Sequence, residues 1–116
     1  VGDGSFMFGN PTPAFLVSDA LDIPITIVVS NNGMWYAVEQ STVDIYPDGA
    51  SAGEDELPLT RFGSSPDYAA LAVACGAHGE TVTDPAKLES AMRRCLEQNG
   101  EGKAALLKVI TEPGTR

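Results

Sequence analysis

The sequence predicts an α/β fold, a mainly parallel sheet with helices on both faces and a truncated first strand. Two observations carry this. Ile25-Thr26-Ile27-Val28-Val29 is a β-branched run without alternation of polar and apolar residues, the pattern of a strand buried on both faces. Helix-start signals, a capping residue followed by proline, recur at Asn10-Pro11-Thr12-Pro13, Ser65-Pro66-Asp67 and Asp84-Pro85. The elements thus read β-α-β-loop-α-β-α-β, an order that folds as a parallel sheet with right-handed crossovers.

Taken in order, Val1 reads as the last residue of a strand whose earlier part is absent, and glycines at 2 and 4 make a tight turn. A helix follows over about Pro13 to Leu21. Pro24 permits a strand start, and Asn31-Asn32-Gly33 ends that strand. Met34 to Gln40 fits either a short helix or an aromatic loop. Tyr46-Pro47-Asp48-Gly49 is a turn signal, and the small, acidic stretch from Ala50 to Pro58 is expected to be mobile. A second helix spans Tyr68 to about Cys75 and is broken by Gly76 to Gly79. Glu80-Thr81-Val82-Thr83 is a short strand. A third helix, Ala86 to Gln98, carries Leu88, Ala91, Met92, Cys95 and Leu96 on one face. Ala104 to Ile110 is the final buried strand.

The 116 residues suffice for one domain with one core. Acidic residues number 16 against 7 basic, for a net charge of −9, which argues against a nucleic-acid partner, since phosphate neutralisation needs Lys and Arg. No apolar run reaches the roughly 18 residues of a membrane span, and no signal peptide is visible. Cys75 and Cys95 each sit in an apolar helical pattern and read as reduced core residues. That usage fits a cytoplasmic protein.

Chemistry concentrates at two places. Gly2-Asp3-Gly4-Ser5 and Asn31-Asn32 are separated by residues 6–30, one helix plus one strand. Both therefore fall at carboxyl ends of neighbouring parallel strands, where α/β sheets bind ligands. A magnesium ion takes about six oxygens, often shared with substrate phosphates. Asp3 offers a charged oxygen, Asn32 a neutral one, and a backbone carbonyl just past the Asn pair, that of Met34, a third. Gly4 lets the backbone approach a diphosphate closely, and Ser5 adds an N–H and a hydroxyl. Each motif alone reads first as a plain turn; their pairing at two strand ends favours a site.

Gly2-Asp3-Gly4-Ser5 with Asn31-Asn32 resembles the thiamine diphosphate motif of the acetohydroxyacid synthase and 2-oxo acid decarboxylase superfamily. The likeness extends through Ile23 to Val29, Pro66 to Ala72, Gly76-Ala77-His78-Gly79 and Ala104 to Val109, so it covers essentially the whole chain. It implies the thiamine diphosphate-binding fold and a role for residues 1–116 as the C-terminal diphosphate-binding domain of a larger enzyme, incomplete at its N-terminal end. Gly2, Asp3, Gly4, Ser5, Asn32 and Met34 then map onto the cofactor site, with Asp3, Asn32 and the Met34 carbonyl as metal ligands. The implied cofactors are thiamine diphosphate and Mg2+, and the implied reaction is decarboxylation or carboligation of a 2-oxo acid, acetolactate synthase-like. The resemblance places no catalytic residue in this chain: the activating Glu belongs to a separate pyrimidine-binding domain, usually on a partner subunit of a homodimer or homotetramer. The fragment alone is expected to be inactive. The rival readings are a non-catalytic domain that binds thiamine diphosphate and a structural α/β domain.

Several other residues stand near the motif. Trp35 and its neighbours either pack beneath the metal loop or line the cofactor or substrate pocket. Val38 falls where related enzymes place a substrate-pocket side chain. Glu39 is expected to be a solvated helix residue, His78 a turn residue remote from both motifs, Glu54-Asp55-Glu56 a solvated acidic loop, and Arg93-Arg94 helix-surface charge.

Overall fold

The computed structural model describes residues 1–113. It has three parallel strands: β1 (Thr26–Asn31), β2 (His78–Val82) and β3 (Ala105–Ile110). The order is β1-β3-β2. β1 registers on β3 from Thr26 opposite Ala105 to Asn31 opposite Ile110, and β2 from His78 opposite Ala105 to Val82 opposite Val109. Beyond β1, Gly2 forms a parallel bridge with Ser30, and the Ser30 N–H donates to the Val1 carbonyl at 2.9 Å.

Helices cover both faces, as the sequence predicts. The central strand shows why: its successive side chains point to opposite faces. Leu106 joins Phe6, Phe15, Val29, Tyr68, Ala72 and Ala77 on one face, beneath α1 (Asp3–Phe8), α2 (Thr12–Ala20) and α4 (Tyr68–Ala74). Ala105 and Leu107 join Val82, Ala91 and Cys95 on the other, beneath α5 (Leu88–Gly100). Cys95 is buried, Cys75 partly so, and both are free thiols. Lys108 shares the Leu106 face and is also buried. Its Nζ donates to the Pro66 carbonyl at 2.9 Å and lies 5.1 Å from the Tyr68 ring centre.

Local chemistry sets the element ends. Pro13 lies in the first turn of α2, and the Ser18 hydroxyl donates to the Ile23 carbonyl at 2.7 Å to fix the exit. Asp67 caps α4 by accepting the Ala70 N–H at 3.0 Å, and Asp84 accepts the Ala86 N–H at 3.0 Å ahead of a 3-10 turn, Pro85–Lys87. At Gly79 a Cβ would overlap the Ala69 carbonyl, so glycine is what lets α4 sit close on β2.

Three expectations are corrected and one open alternative is resolved. The tight turn at residues 2–5 is instead the start of α1, with Gly2 extended and helical structure from Asp3. The Met34–Gln40 ambiguity resolves as α3 (Tyr36–Ile45), longer than expected, followed by a 3-10 turn, Ala50–Gly53. His78 opens β2 rather than lying in a turn. Arg94 is more than surface charge: it forms a two-pronged ion pair with Glu80, tying α5 to β2.

Candidate functional site

The carboxyl ends of β1 and of the short Val1–Gly2 segment meet beside the first turn of α1. A cavity of about 500 Å³ opens there, lined by Gly2, Asp3, Gly4, Ser5, Phe8, Ser30, Asn32, Met34, Trp35, Tyr36, Ala37 and Val38. All eight residues singled out from the sequence (Gly2, Asp3, Gly4, Ser5, Asn32, Met34, Trp35, Val38) line this one cavity. Tyr36, a neighbour of Trp35 weighed for the pocket, lines it too, and sequence reasoning missed Ser30, Phe8 and Ala37. Phe8 follows once α1 is read as a helix, because residues 4 and 8 share its face.

Asp3 is 2 % exposed. One carboxylate oxygen, Oδ2, accepts the Gly33 N–H at 2.9 Å, which fixes the side chain next to Asn32. The Asn32 Oδ1 accepts the Met34 N–H at 3.1 Å, closing a local turn. Asn31 plays a different part. It is buried, and its Oδ1 accepts the Ser65 hydroxyl at 3.0 Å. Burial raises the Tyr68 phenol above its ordinary value of 10.0; Ser65 opposes the rise and the Asp3 carboxylate adds to it.

The first hydrogen bond of α1 runs from the Phe6 N–H to the Gly2 carbonyl at 2.9 Å. The N–H groups of Asp3, Gly4 and Ser5 precede it and have no partner within the helix. Gly4 lies against the Trp35 indole, so closely that a Cβ there would overlap Cδ1. The indole Nε1 is buried without a hydrogen-bond partner.

The Met34 backbone is held by a segment further along the chain. Met34 pairs with Arg61 in an antiparallel bridge. The flanking bonds are Trp35 N–H to Thr60 carbonyl at 2.8 Å and Phe62 N–H to Gly33 carbonyl at 2.9 Å. Met34 and Arg61 are therefore the non-hydrogen-bonded pair of the ladder, whose own N–H and C=O groups point outward from the partner. The Met34 carbonyl is directed away from the 57–62 segment.

The residues read as remote stay remote or find other partners. His78 pairs with Ala105 at the opposite end of the sheet from Asn31 and lies 3.5 Å from Glu80. Glu54, Asp55 and Glu56 are exposed, with Glu56 3.0 Å from the Arg61 guanidinium. Arg93 pairs with Glu89 one turn away at 2.7 Å. Glu39 departs from expectation: it is 2 % exposed, and Thr60 donates to it at 3.0 Å. Among the described residues no cluster of three His, Cys, Asp or Glu side chains is placed to hold a metal.

A family model described as "Thiamine pyrophosphate enzyme, C-terminal TPP binding domain" matches residues 1–109. The chain is similar to a probable acetolactate synthase of Mycobacterium bovis, 31% identical over 112 residues, covering 97% of this chain and 18% of that protein. It is also similar to a sulfoacetaldehyde acetyltransferase of Rhodobacter capsulatus, 29% identical over 110 residues, covering 94% of this chain and 17% of that one. Among solved structures it resembles the Rhodococcus jostii RHA1 thiamine diphosphate-dependent 4-hydroxybenzoylformate decarboxylase, with a TM-score of 0.75 at 24% identity over 98% of this chain and 19% of the other. That likeness shows the fold. The chain spans about a fifth of the length of each of these proteins.

Proposed function

The chain belongs to the family of C-terminal TPP-binding domains of thiamine pyrophosphate enzymes, and from that premise we propose that its cavity holds the cofactor's diphosphate through a magnesium ion. The observation that carries this is a charge imbalance. The cavity lining includes the Asp3 carboxylate and no Lys or Arg side chain. A diphosphate brought beside that carboxylate needs positive charge that the lining does not supply, and a divalent cation meets the need.

The donor set fits that ion. A carboxylate, an amide oxygen and a main-chain carbonyl are hard oxygen ligands of the kind magnesium takes. In this reading Asp3, Asn32 and the Met34 carbonyl hold the metal. Gly2, Gly4 and Ser5 present backbone N–H groups and the Ser5 hydroxyl to the diphosphate. Trp35 and Val38 wall the side toward the substrate. Bound thiamine diphosphate supplies a nucleophilic carbon and an electron sink for chemistry at a 2-oxo acid carbonyl. This chain's share is to bind, orient and neutralise.

At the level of the whole protein, residues 1–116 form the diphosphate-binding part of a longer, acetolactate synthase-like enzyme that decarboxylates or carboligates 2-oxo acids. The names of the relatives support that class. The activating Glu comes from another domain of the enzyme, in a homodimer or homotetramer, and the free thiols Cys75 and Cys95 suit a cytoplasmic setting. The test is calorimetric titration of the full-length enzyme with thiamine diphosphate, with magnesium present and with it chelated. Binding should require the metal. Equal affinity in both conditions defeats the proposal.

A further inference from the structure

We propose that Glu39 and Thr60 are positioning residues for the Asn32–Trp35 loop, a latch that sets the direction of the Met34 carbonyl. The proposal rests on the reading of that carbonyl as a metal ligand, and it adds a part of the chain that the motif does not reach.

α3 turns one charged residue inward. A surface helix turns apolar residues inward and charged ones to water. Here Glu39 is buried while its neighbour Val38 is 53 % exposed and Ile45 is exposed too. Burying a carboxylate is costly unless hydrogen bonds compensate it, and Thr60 is one of the groups that hold this one. The Glu39 Oε2 lies 3.0 Å from the hydroxyl of Thr60, which is itself 4 % exposed and shares its single hydrogen between that oxygen and the Leu57 carbonyl oxygen at 2.8 Å.

Thr60 connects this helix to the loop. Its carbonyl accepts the Trp35 N–H at 2.8 Å, one of the two bonds that flank the Met34–Arg61 pair. One residue therefore grips α3 with its side chain and the metal loop with its backbone. α3 packs mainly on the 50–53 turn rather than on the sheet, so the latch adds a side-chain tie to the backbone bonds from the Val38 and Glu39 N–H groups to the Trp35 carbonyl. Phe62 completes the clamp, edge-on to Trp35 with ring centres 5.6 Å apart at 84°. A shift of the 57–62 segment would rotate the Met34 peptide, and the carbonyl with it.

The test uses the full-length enzyme and measures Mg2+ affinity by calorimetry at saturating thiamine diphosphate, beside the urea midpoint of each variant. Thr60→Val keeps the shape and removes the hydroxyl. It should weaken Mg2+ binding by about 10-fold or more, the range seen when an outer-shell partner of a metal site is lost. Thr60→Ser restores the hydroxyl and should return affinity to within about 2-fold of the parent. Where Thr60→Val does not fold, Glu39→Asp, which keeps the charge and shortens the reach by one methylene, should show the same order of weakening. A lowered urea midpoint with unchanged Mg2+ affinity overturns the latch and leaves the metal site intact. A parent enzyme that binds no Mg2+ overturns the site reading itself, and the latch with it.

Discussion

At the residue scale, the pairing of Asp3 with Asn32 was legible because residue type and strand-end position both pointed to one place. A carboxylate between two glycines and an amide pair past a β-branched run have few structural reasons to converge. Glu39 was not legible. Whether a helical Glu is solvated or buried depends on Thr60, 21 residues further along the chain, and no local pattern announces that partner. Two outcomes are expected at this scale. In the proposed site Asp3→Ala removes the charged ligand and should weaken Mg2+ binding by more than ~10-fold, beyond what even an outer-shell loss costs, with activity partly recovered at high magnesium and cofactor. Asn32→Ala removes a neutral ligand and should act the same way but more mildly, while Val38→Ala should change preference among 2-oxo acids and leave cofactor affinity nearly unchanged. Titration of cofactor at fixed magnesium, run beside kinetics on several substrates, separates the three. Gly4→Ala tests the close approach differently. Its Cβ would overlap the Trp35 indole, so the ring must move, and a changed tryptophan emission should accompany the loss of cofactor affinity.

At the scale of elements, the strands and the helices α2, α4 and α5 were legible, because apolar runs and Pro-linked caps are local signals. α3 was legible only as one of two alternatives, since it has neither a capping residue nor an apolar inner stripe. α1 was missed. Its glycines at positions 2 and 4 read as turn formers, but Phe6 is buried among Phe15, Tyr68 and Val29, and that tertiary contact overrides the local preference. The approach of α4 to β2 was also invisible in the sequence. Gly79→Ala should force the helix off the strand and destabilise by about 1–3 kcal/mol, as overpacking does, measured by urea unfolding. The tie between α5 and β2 predicts a pH effect. Arg94, by hydrogen bonding to Glu80, holds that carboxyl below its ordinary value of 4.5; burial partly opposes this and His78 adds to it. A carboxyl whose folded value is depressed contributes stability that is present above its unfolded value and is lost as pH falls through the folded one. Arg94→Gln should therefore lower the urea midpoint at neutral pH, and the gap from the parent should close below about pH 4.5. A gap of constant size down to about pH 3 would show that the pair contributes through packing and not through charge.

At the scale of the whole molecule, the chain is extended. Its radius of gyration is 16.4 Å, against about 13 Å for a compact domain of this length. The chain also exposes apolar surface. Phe8 is 87 % exposed, and Leu16, Leu21 and Ile23 are exposed as well. Pro13, Ala14, Val17, Leu21, Ile23 and Ile25 line an open groove along α2. Contiguous apolar surface of this kind marks a place where other protein packs. In the proposed enzyme, further domains cover these surfaces. The 116-residue polypeptide produced by itself should then be poorly stable, associate as its concentration rises, and turn over no 2-oxo acid even with thiamine diphosphate and magnesium supplied. Sedimentation across a concentration series, with thermal unfolding at each concentration, checks this. A cooperative transition that stays monomeric and concentration-independent would mean that these surfaces are stable in water, and that the fold is complete without the covering domains.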